Sequence, residues 1–212
     1  MNKKLILGLF SFFLALSLIS ISSAQLAVGV KAGDWIQYKV TFTGTTPDPS
    51  HAVVAANLTV LSVQGTAINV NIVSTMSNGT ELSSNSTLNL QTGQLIDNFI
   101  IPANLSKGDQ FFDSNVGNIT IANVGQGTYA GTSRTVINAT SGSNAYIWDQ
   151  ATGIDVEGFS SGANYTMHTL ANATNIWQAQ VPEFNSTILG SITIIGAIAT
   201  VTSAIVITRK RK

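Results

Sequence analysis

Between residues 25 and 181 the apolar side chains recur at every second position, a period that fits strands and excludes amphipathic helices. Ile36, Tyr38, Val40 and Phe42 alternate with Gln37, Lys39 and Thr41. Ile68, Val70 and Ile72 alternate with Asn69 and Asn71. Leu82, Leu88 and Leu90 share one parity opposite Glu81, Asn85 and Asn89, and Ile154 and Val156 alternate with Asp155 and Glu157. Apolar-in, polar-out alternation is the pattern of an antiparallel strand with one buried face.

Glycine-bearing pairs punctuate these runs and predict hairpin ends. They are Gln64-Gly65, Asn78-Gly79, Thr92-Gly93, Gly125-Gln126-Gly127 and Thr152-Gly153, where glycine supplies the positive φ of a tight turn. The fold class expected is all-β: an antiparallel meander of roughly eight to ten strands forming a curved sheet, half-barrel or sandwich. The Ile101–Asp109 stretch, with Pro102, breaks the rhythm and reads as a segment crossing from one half of the sheet to the other. Leu88–Gly93 and Ile147–Gly153 look alike, as one turn chemistry used twice or, less simply, as a trace of internal duplication. The Thr43–Ser50 segment, with Pro47 and Pro49, reads as an exposed loop.

The two ends follow a different rule. Lys3 and Lys4 precede an apolar stretch from Leu5 to Ile21 closed by Ser22-Ser23-Ala24, the layout of a secretory signal peptide with cleavage between Ala24 and Gln25. Near the C-terminus an uncharged run from Ile188 to Thr208 is followed by Arg209-Lys210-Arg211-Lys212. As a helix that run is about 31 Å long, the thickness of a bilayer's apolar core. The basic tail behind it is expected to stay inside and everything before it outside. The organisation read from the chain is therefore a signal helix at 1–24, an exported β domain at 25–181, a juxtamembrane segment at 182–187, a transmembrane helix at 188–208 and a cytoplasmic tail at 209–212. The expected location is the cell membrane, with the domain outside the cell.

The zero formal net charge of the chain hides an asymmetry, because most basic residues lie at the ends. Within 25–181, Lys31, Lys39, Lys107 and Arg134 face seven Asp and two Glu, a balance of −5. Such a surface argues against nucleic acid or anionic lipid headgroups as partners. Cysteine is absent, which excludes disulfides, thiolate metal sites and a cysteine nucleophile.

Asn-X-Ser/Thr occurs at Asn57, Asn78, Asn85, Asn104, Asn118, Asn138, Asn164, Asn172 and Asn185, half of the eighteen asparagines. Asn57, Asn85 and Asn118 have the parity opposite their strands' apolar residues, so glycans there are expected to point to solvent.

No catalytic constellation emerges. His51 lies in the proline-bounded loop, and His168 has a parity that faces solvent. Neither has a neighbouring Ser, Cys or Asp pattern of a hydrolytic triad. Asp109 with Asp113, and Asp149 with Asp155 and Glu157, carry no glycosidase or calcium-loop signature and read as solvated strand and turn acids. Gly125-Gln126-Gly127 lacks the lysine and helix of a phosphate loop and reads as a turn. Trp35, Tyr38, Phe42, Tyr146, Trp148 and Tyr165 are placed on one face, where they serve as core or line a site for a lipid or glycan. Trp177, just before the apolar run, reads as an interfacial anchor or strand end. No metal or cofactor is called for.

Pro182-Glu183-Phe184 stands directly before the apolar run and basic tail. With the signal peptide and the cysteine-free Asn/Ser/Thr-rich β domain, this arrangement resembles small archaeal cell-surface proteins that end in a PEF-type sorting signal. The resemblance implies an archaeosortase-like membrane peptidase as partner, cleavage near the motif, and transfer of the exported part to a lipid or other anchor. The sequon at Asn185 departs from that pattern, since a glycan there crowds a processing enzyme. The function expected is that of a non-enzymatic, N-glycosylated, membrane-anchored envelope or adhesion component. A surface module binding a lipid or other hydrophobic ligand on a curved sheet is the alternative, and a surface glycosidase the remote one.

Overall fold

The computed structural model describes residues 26–45 and 47–178, and all of its regular structure is β. The signal segment with Ala24 and Gln25, the sorting motif Pro182-Glu183-Phe184, Asn185, the apolar run and the basic tail lie outside the described residues. Among the described residues no helix is long and apolar enough to cross a membrane.

Eleven strands form in chain order: β1 Trp35–Gly44, β2 Val53–Gln64, β3 Ala67–Met76, β4 Glu81–Asn89, β5 Gln110–Asp113, β6 Gly117–Thr120, β7 Asn123–Tyr129, β8 Thr132–Ser141, β9 Asn144–Asp149, β10 Asp155–Ser161 and β11 Tyr165–Thr174. Nine make one antiparallel sheet in the order β4-β3-β2-β1-β11-β10-β9-β8-β7, and β5 and β6 make a separate hairpin. The expected single meander is thus two meanders. Each runs hairpin to hairpin, and they join where β1 pairs with β11, Tyr38 opposite Ala171 and Val40 opposite Thr169.

Residues 90–122 connect the halves and lie over one face of the sheet, here called the inner face. This is the crossing anticipated around Pro102, though it is longer than the Ile101–Asp109 stretch. Alternation decides what faces it. Ile36, Tyr38 and Val40 of β1, Leu58 and Val60 of β2, Ile68 and Val70 of β3, and Leu88 of β4 are buried there. Leu95, Ile100, Ile101, Phe111 and Ile121 of the crossing segment join them in one core. Each such side chain contributes about 1.5–3 kcal/mol on full burial. The segment is also bonded to the β9–β10 turn: Ile101 N donates to Gly153 O (2.9 Å) and Asn104 N to Gln150 O (2.7 Å). The approach is close enough that a Cβ on Gly153, at φ 71°, would lie 2.1 Å from Ile101 O, so only glycine fits.

Several sequence expectations are corrected. Gly125-Gln126-Gly127 is the middle of edge strand β7, paired with Val136, Thr135 and Arg134. The turn comes later, at Ala130 and Gly131, which both have positive φ. A Cβ on Gly127 would lie 2.4 Å from the Tyr129 ring, so this glycine makes room for an aromatic neighbour rather than turning the chain. Leu82 is exposed although it shares parity with buried Leu88, because β4 is an edge strand and its first residues run past the crossing segment. Ile154, Asp155 and Val156 are all buried, because a register shift between Asp155 and Glu157 interrupts the alternation. Trp35 takes the opposite parity from Tyr38, and so does not share its face. Trp177 is a core residue, 8 % exposed. Its indole N–H donates to Tyr129 O (3.1 Å), and the Arg134 guanidinium lies 4.7 Å from its ring centre.

The two look-alike tips do share a turn. Asn89 N donates to Gln94 O (2.8 Å) and Asp149 N to Ile154 O (2.9 Å). Asn89 Oδ1 accepts from Gln91 N and Thr92 N, and Asp149 Oδ1 from Thr152 N and Oγ1. One asparagine or aspartate caps the turn each time, and a glycine of positive φ closes it.

Candidate functional site

The crossing segment covers the end of the inner face nearest Trp177 and leaves the other end open. There the inward-pointing positions turn small along β3, β4 and β10. On β4 the parity of Leu88 passes through Ser86 and Ser84, on β3 that of Val70 and Ile72 passes to Ser74, and on β10 Gly158 is followed by Ser160. The lost volume appears as two adjoining cavities that share Asp97, Phe99, Met167 and Thr169. The larger, about 340 Å³, is also lined by Tyr38, Val40, Ala56, Ile72, Ser74, Ser84 and Ser86. The smaller, about 190 Å³, reaches Tyr146, Asp155 and Asn144. Together they have the size and the mostly apolar lining of a small-molecule site.

The inner wall of this cleft is rigid. The Phe99 and Tyr38 rings meet at 5.8 Å, and Tyr146 stacks on Trp148 at 5.3 Å. Trp148 Nε1 donates to Asn98 O (2.7 Å) and Asp155 N to Phe99 O (2.9 Å), which ties the crossing segment to β9 and β10. At the rim Asn144 is held from both sides: its Oδ1 accepts from Ser160 Oγ (2.9 Å), and its Nδ2 donates to the Tyr146 hydroxyl (3.1 Å). The floor is strained. Ile96, Asp97 and Asn98 follow one another at φ 45°, 52° and 58°, a left-handed run costing about 1–2 kcal/mol per non-glycine residue. Such runs persist only where surrounding contacts over-determine them.

Asp155 is the chemically unusual group. It is 4 % exposed, and its Oδ1 is sealed from solvent with no hydrogen-bond partner among the described residues. Burial, with the nearby Glu157 charge adding to it, holds its carboxyl well above the ordinary carboxylate range. The Tyr38 hydroxyl donates to the Asp155 carbonyl (2.9 Å) and is itself pushed well above the usual phenol range, by burial and then by Asp155.

The remaining acids are mostly structural rather than solvated. Asp149 is buried and accepts from Arg134 at Oδ2 (2.7 Å) and Oδ1 (3.1 Å). Asp113 is buried and caps its turn through Asn115 N (2.7 Å), whereas Asp109 is exposed and caps Ser106 N (2.8 Å). Asp34, also buried, holds the backbone and side-chain nitrogens of Lys31. On the outer face His168 is half-buried rather than free in solvent. Its Nε2 lies 2.8 Å from Glu157 Oε1, and its ring stacks on Phe159 at 4.4 Å. The Tyr129 hydroxyl donates to the other Glu157 oxygen (2.8 Å), and burial and then that bond raise its pKa. Tyrosine and histidine thus share a carboxylate without meeting each other, which is not the nucleophile–base contact of a triad. His51 is exposed beside Ser50 (3.0 Å). Among the described residues no group of three metal-ligating side chains forms.

The sequons are distributed over the whole surface. Asn78 lies at the tip of the β3–β4 hairpin and Asn164 at that of β10–β11, both exposed and both at the open end of the cleft. Asn85, Asn104, Asn118 and Asn172 are exposed, and Asn138 is half-buried. Asn57 departs from expectation: it is half-buried, and its Oδ1 is sealed without a partner. It sits on a central strand between Gln37 and Val73, where side chains from both neighbouring strands close over it.

No protein-family model matches the chain, and no curated protein or solved structure matches it either. The site therefore rests on its own geometry. Sequence reading missed it because Asp155 and the Ile96–Phe99 floor carry no motif. A signal was present in Ser84 and Ser86, small polar residues at inward positions of a strand.

Proposed function

We propose that this protein is a non-enzymatic, membrane-anchored cell-surface module. In this reading its sheet works as a half-barrel that holds a hydrophobic ligand in the inner-face cleft. The observation that carries it is the pair of adjoining cavities on a rigid aromatic wall, at the end of the sheet that the crossing segment leaves uncovered. The C-terminal apolar run with its basic stop supports anchoring, and the resemblance of Pro182-Glu183-Phe184 to a PEF-type signal supports processing by a sorting peptidase. Exposed sequons at Asn78 and Asn164 support a glycosylated outer surface, which also suits an envelope or adhesion component.

The test is solvent extraction of the full chain purified from its own membranes, followed by mass spectrometry of the extract. One apolar compound near equimolar with protein is expected. Its loss is expected in Ser86→Phe, which fills the larger cavity from an edge strand. An extract without such a compound leaves the envelope reading in its place. Glycopeptide mapping of the same material is expected to find Asn85 or Asn164 modified and Asn57 bare.

A further inference from the structure

We propose that the smaller cavity is a binding site for an organic ammonium cation, held by Asp155 and Asp97 against the rings of Tyr146 and Phe99. The inference rests on the cleft reading above and names the chemistry of the ligand's polar end.

Three observations point the same way. Asp155 and Asp97 both line this cavity, while among the described residues no lysine, arginine or histidine lines either cavity. A buried acid is normally paired or fully hydrogen-bonded, yet Asp155 Oδ1 has no partner among the described residues. Asp97, on the strained floor, is exposed at the entrance to the same cavity. The walls then supply what a poorly hydrated cation prefers: the aromatic residues Tyr146 and Phe99, with Met167 beside them. An anion would meet two acids and no donor cation. A neutral apolar ligand would leave Asp155 as unsatisfied as before.

The charge balance is explicit. Burial holds the Asp155 carboxyl above the ordinary carboxylate range, so its neutral form persists to higher pH than that of an exposed aspartate. Pairing with an ammonium needs the carboxylate, so where the acid is protonated its proton leaves to solvent as the cation enters. Binding therefore strengthens as pH rises toward the folded-state pKa of Asp155. The other titratable groups around it are Asp97, Glu157, Tyr38, Tyr129 and Tyr146.

The probe is choline, with 3,3-dimethylbutanol as a neutral compound of nearly the same shape. Met167 lines both cavities and is one of three methionines, so the full chain labelled at the methionine methyls reports binding by NMR. A saturable shift of Met167 is expected with choline, at an affinity about tenfold or more above that for the neutral compound. Asp155→Asn keeps the size and neutrality of the protonated acid. It is expected to abolish the preference for choline over 3,3-dimethylbutanol. Equal binding of the two compounds, or an undiminished preference in Asp155→Asn, overturns the cation site and leaves the apolar cleft standing. No Met167 response to either compound also overturns it, and the extraction experiment then decides on the cleft alone. Should Asp155→Asn fail to fold, Asp97→Asn at the exposed entrance is expected to weaken choline roughly threefold by removing one of the two charges. Unchanged choline binding there counts against the proposal.

Discussion

Asp149 and Asp155 flank one tight turn and are both buried, but their surroundings are opposite. Around Asp149 every polar group is answered. Arg134 binds it through two nitrogens, Thr152 donates a backbone and a hydroxyl hydrogen, and Trp177 covers the guanidinium. Around Asp155 a wall of aromatic and aliphatic groups borders open space, and one carboxyl oxygen has no partner. The first region spends its polar groups on closing the fold. The second leaves an incompletely partnered carboxyl group beside a cavity. A buried carboxyl by itself is thus no guide to role; the count of its partners is.

The sharpest way to break the comparison is to remove the satisfied acid. Asp149→Ala leaves Arg134 and the Thr152 donors without their acceptor, and breaking a buried pair in this way costs about 3–5 kcal/mol. Denaturant unfolding of the full chain, followed by the fluorescence of buried Trp148, should record a loss of that size. A loss below about 1 kcal/mol, the range of exposed pairs, would remove the contrast between the two acids. Trp177→Ala comes next, at about 3 kcal/mol, the lower end for a buried aromatic. It separates a core role from a membrane-interface role, because an interfacial tryptophan would leave denaturant stability nearly unchanged.

The unsatisfied acid should respond to pH rather than to truncation. In the unfolded chain an aspartate titrates near about 3.9, whereas burial keeps the folded Asp155 protonated to higher pH. Folding takes up a proton between those values. This contribution is therefore fully present below about pH 4 and is lost as pH rises through the folded-state pKa, by up to about 1.4 kcal/mol per pH unit. Asp155→Asn carries no such titration, so over that range the variant should gain on the parent chain. Glu157, Tyr38, Tyr129 and Asp97 are common to both proteins, and the difference between the two curves isolates Asp155. Parallel curves would mean that the acid is already ionised in the fold.

The same contrast explains what the sequence made legible. Strands, most of their buried parity, and the hairpins at Gly65, Gly79 and Gly153 follow from local alternation and turn chemistry, and the structure contains them; Gly93 closes a turn with a single bridge rather than a hairpin. The Asp149 turn was visible as a repeated tip. The pairing of β1 with β11 was not, because two strands more than a hundred residues apart carry no local mark of being neighbours. The glycines of β7 misled for a related reason: their role depends on where the Tyr129 ring lies, which a turn rule does not contain. Asp155 was misread because a bulge shifts its parity, and a bulge is a property of two paired strands.

The smallest expected effect concerns the cleft floor. Ile96, Asp97 and Asn98 are left-handed, and Asp97 is the exposed member, so its substitution disturbs the core least. Asp97→Gly relieves about 1–2 kcal/mol of backbone strain but adds about 0.5–1 kcal/mol of unfolded-state entropy. The net result should be a gain of up to about 1.5 kcal/mol in denaturant stability. The variant also loses one of the two charges at the cleft, so choline affinity should fall while stability rises. Opposite movement of the two readouts is the signature of strain kept for a binding site rather than for the fold. A variant that loses both stability and binding would place Asp97 among the groups that hold the floor together.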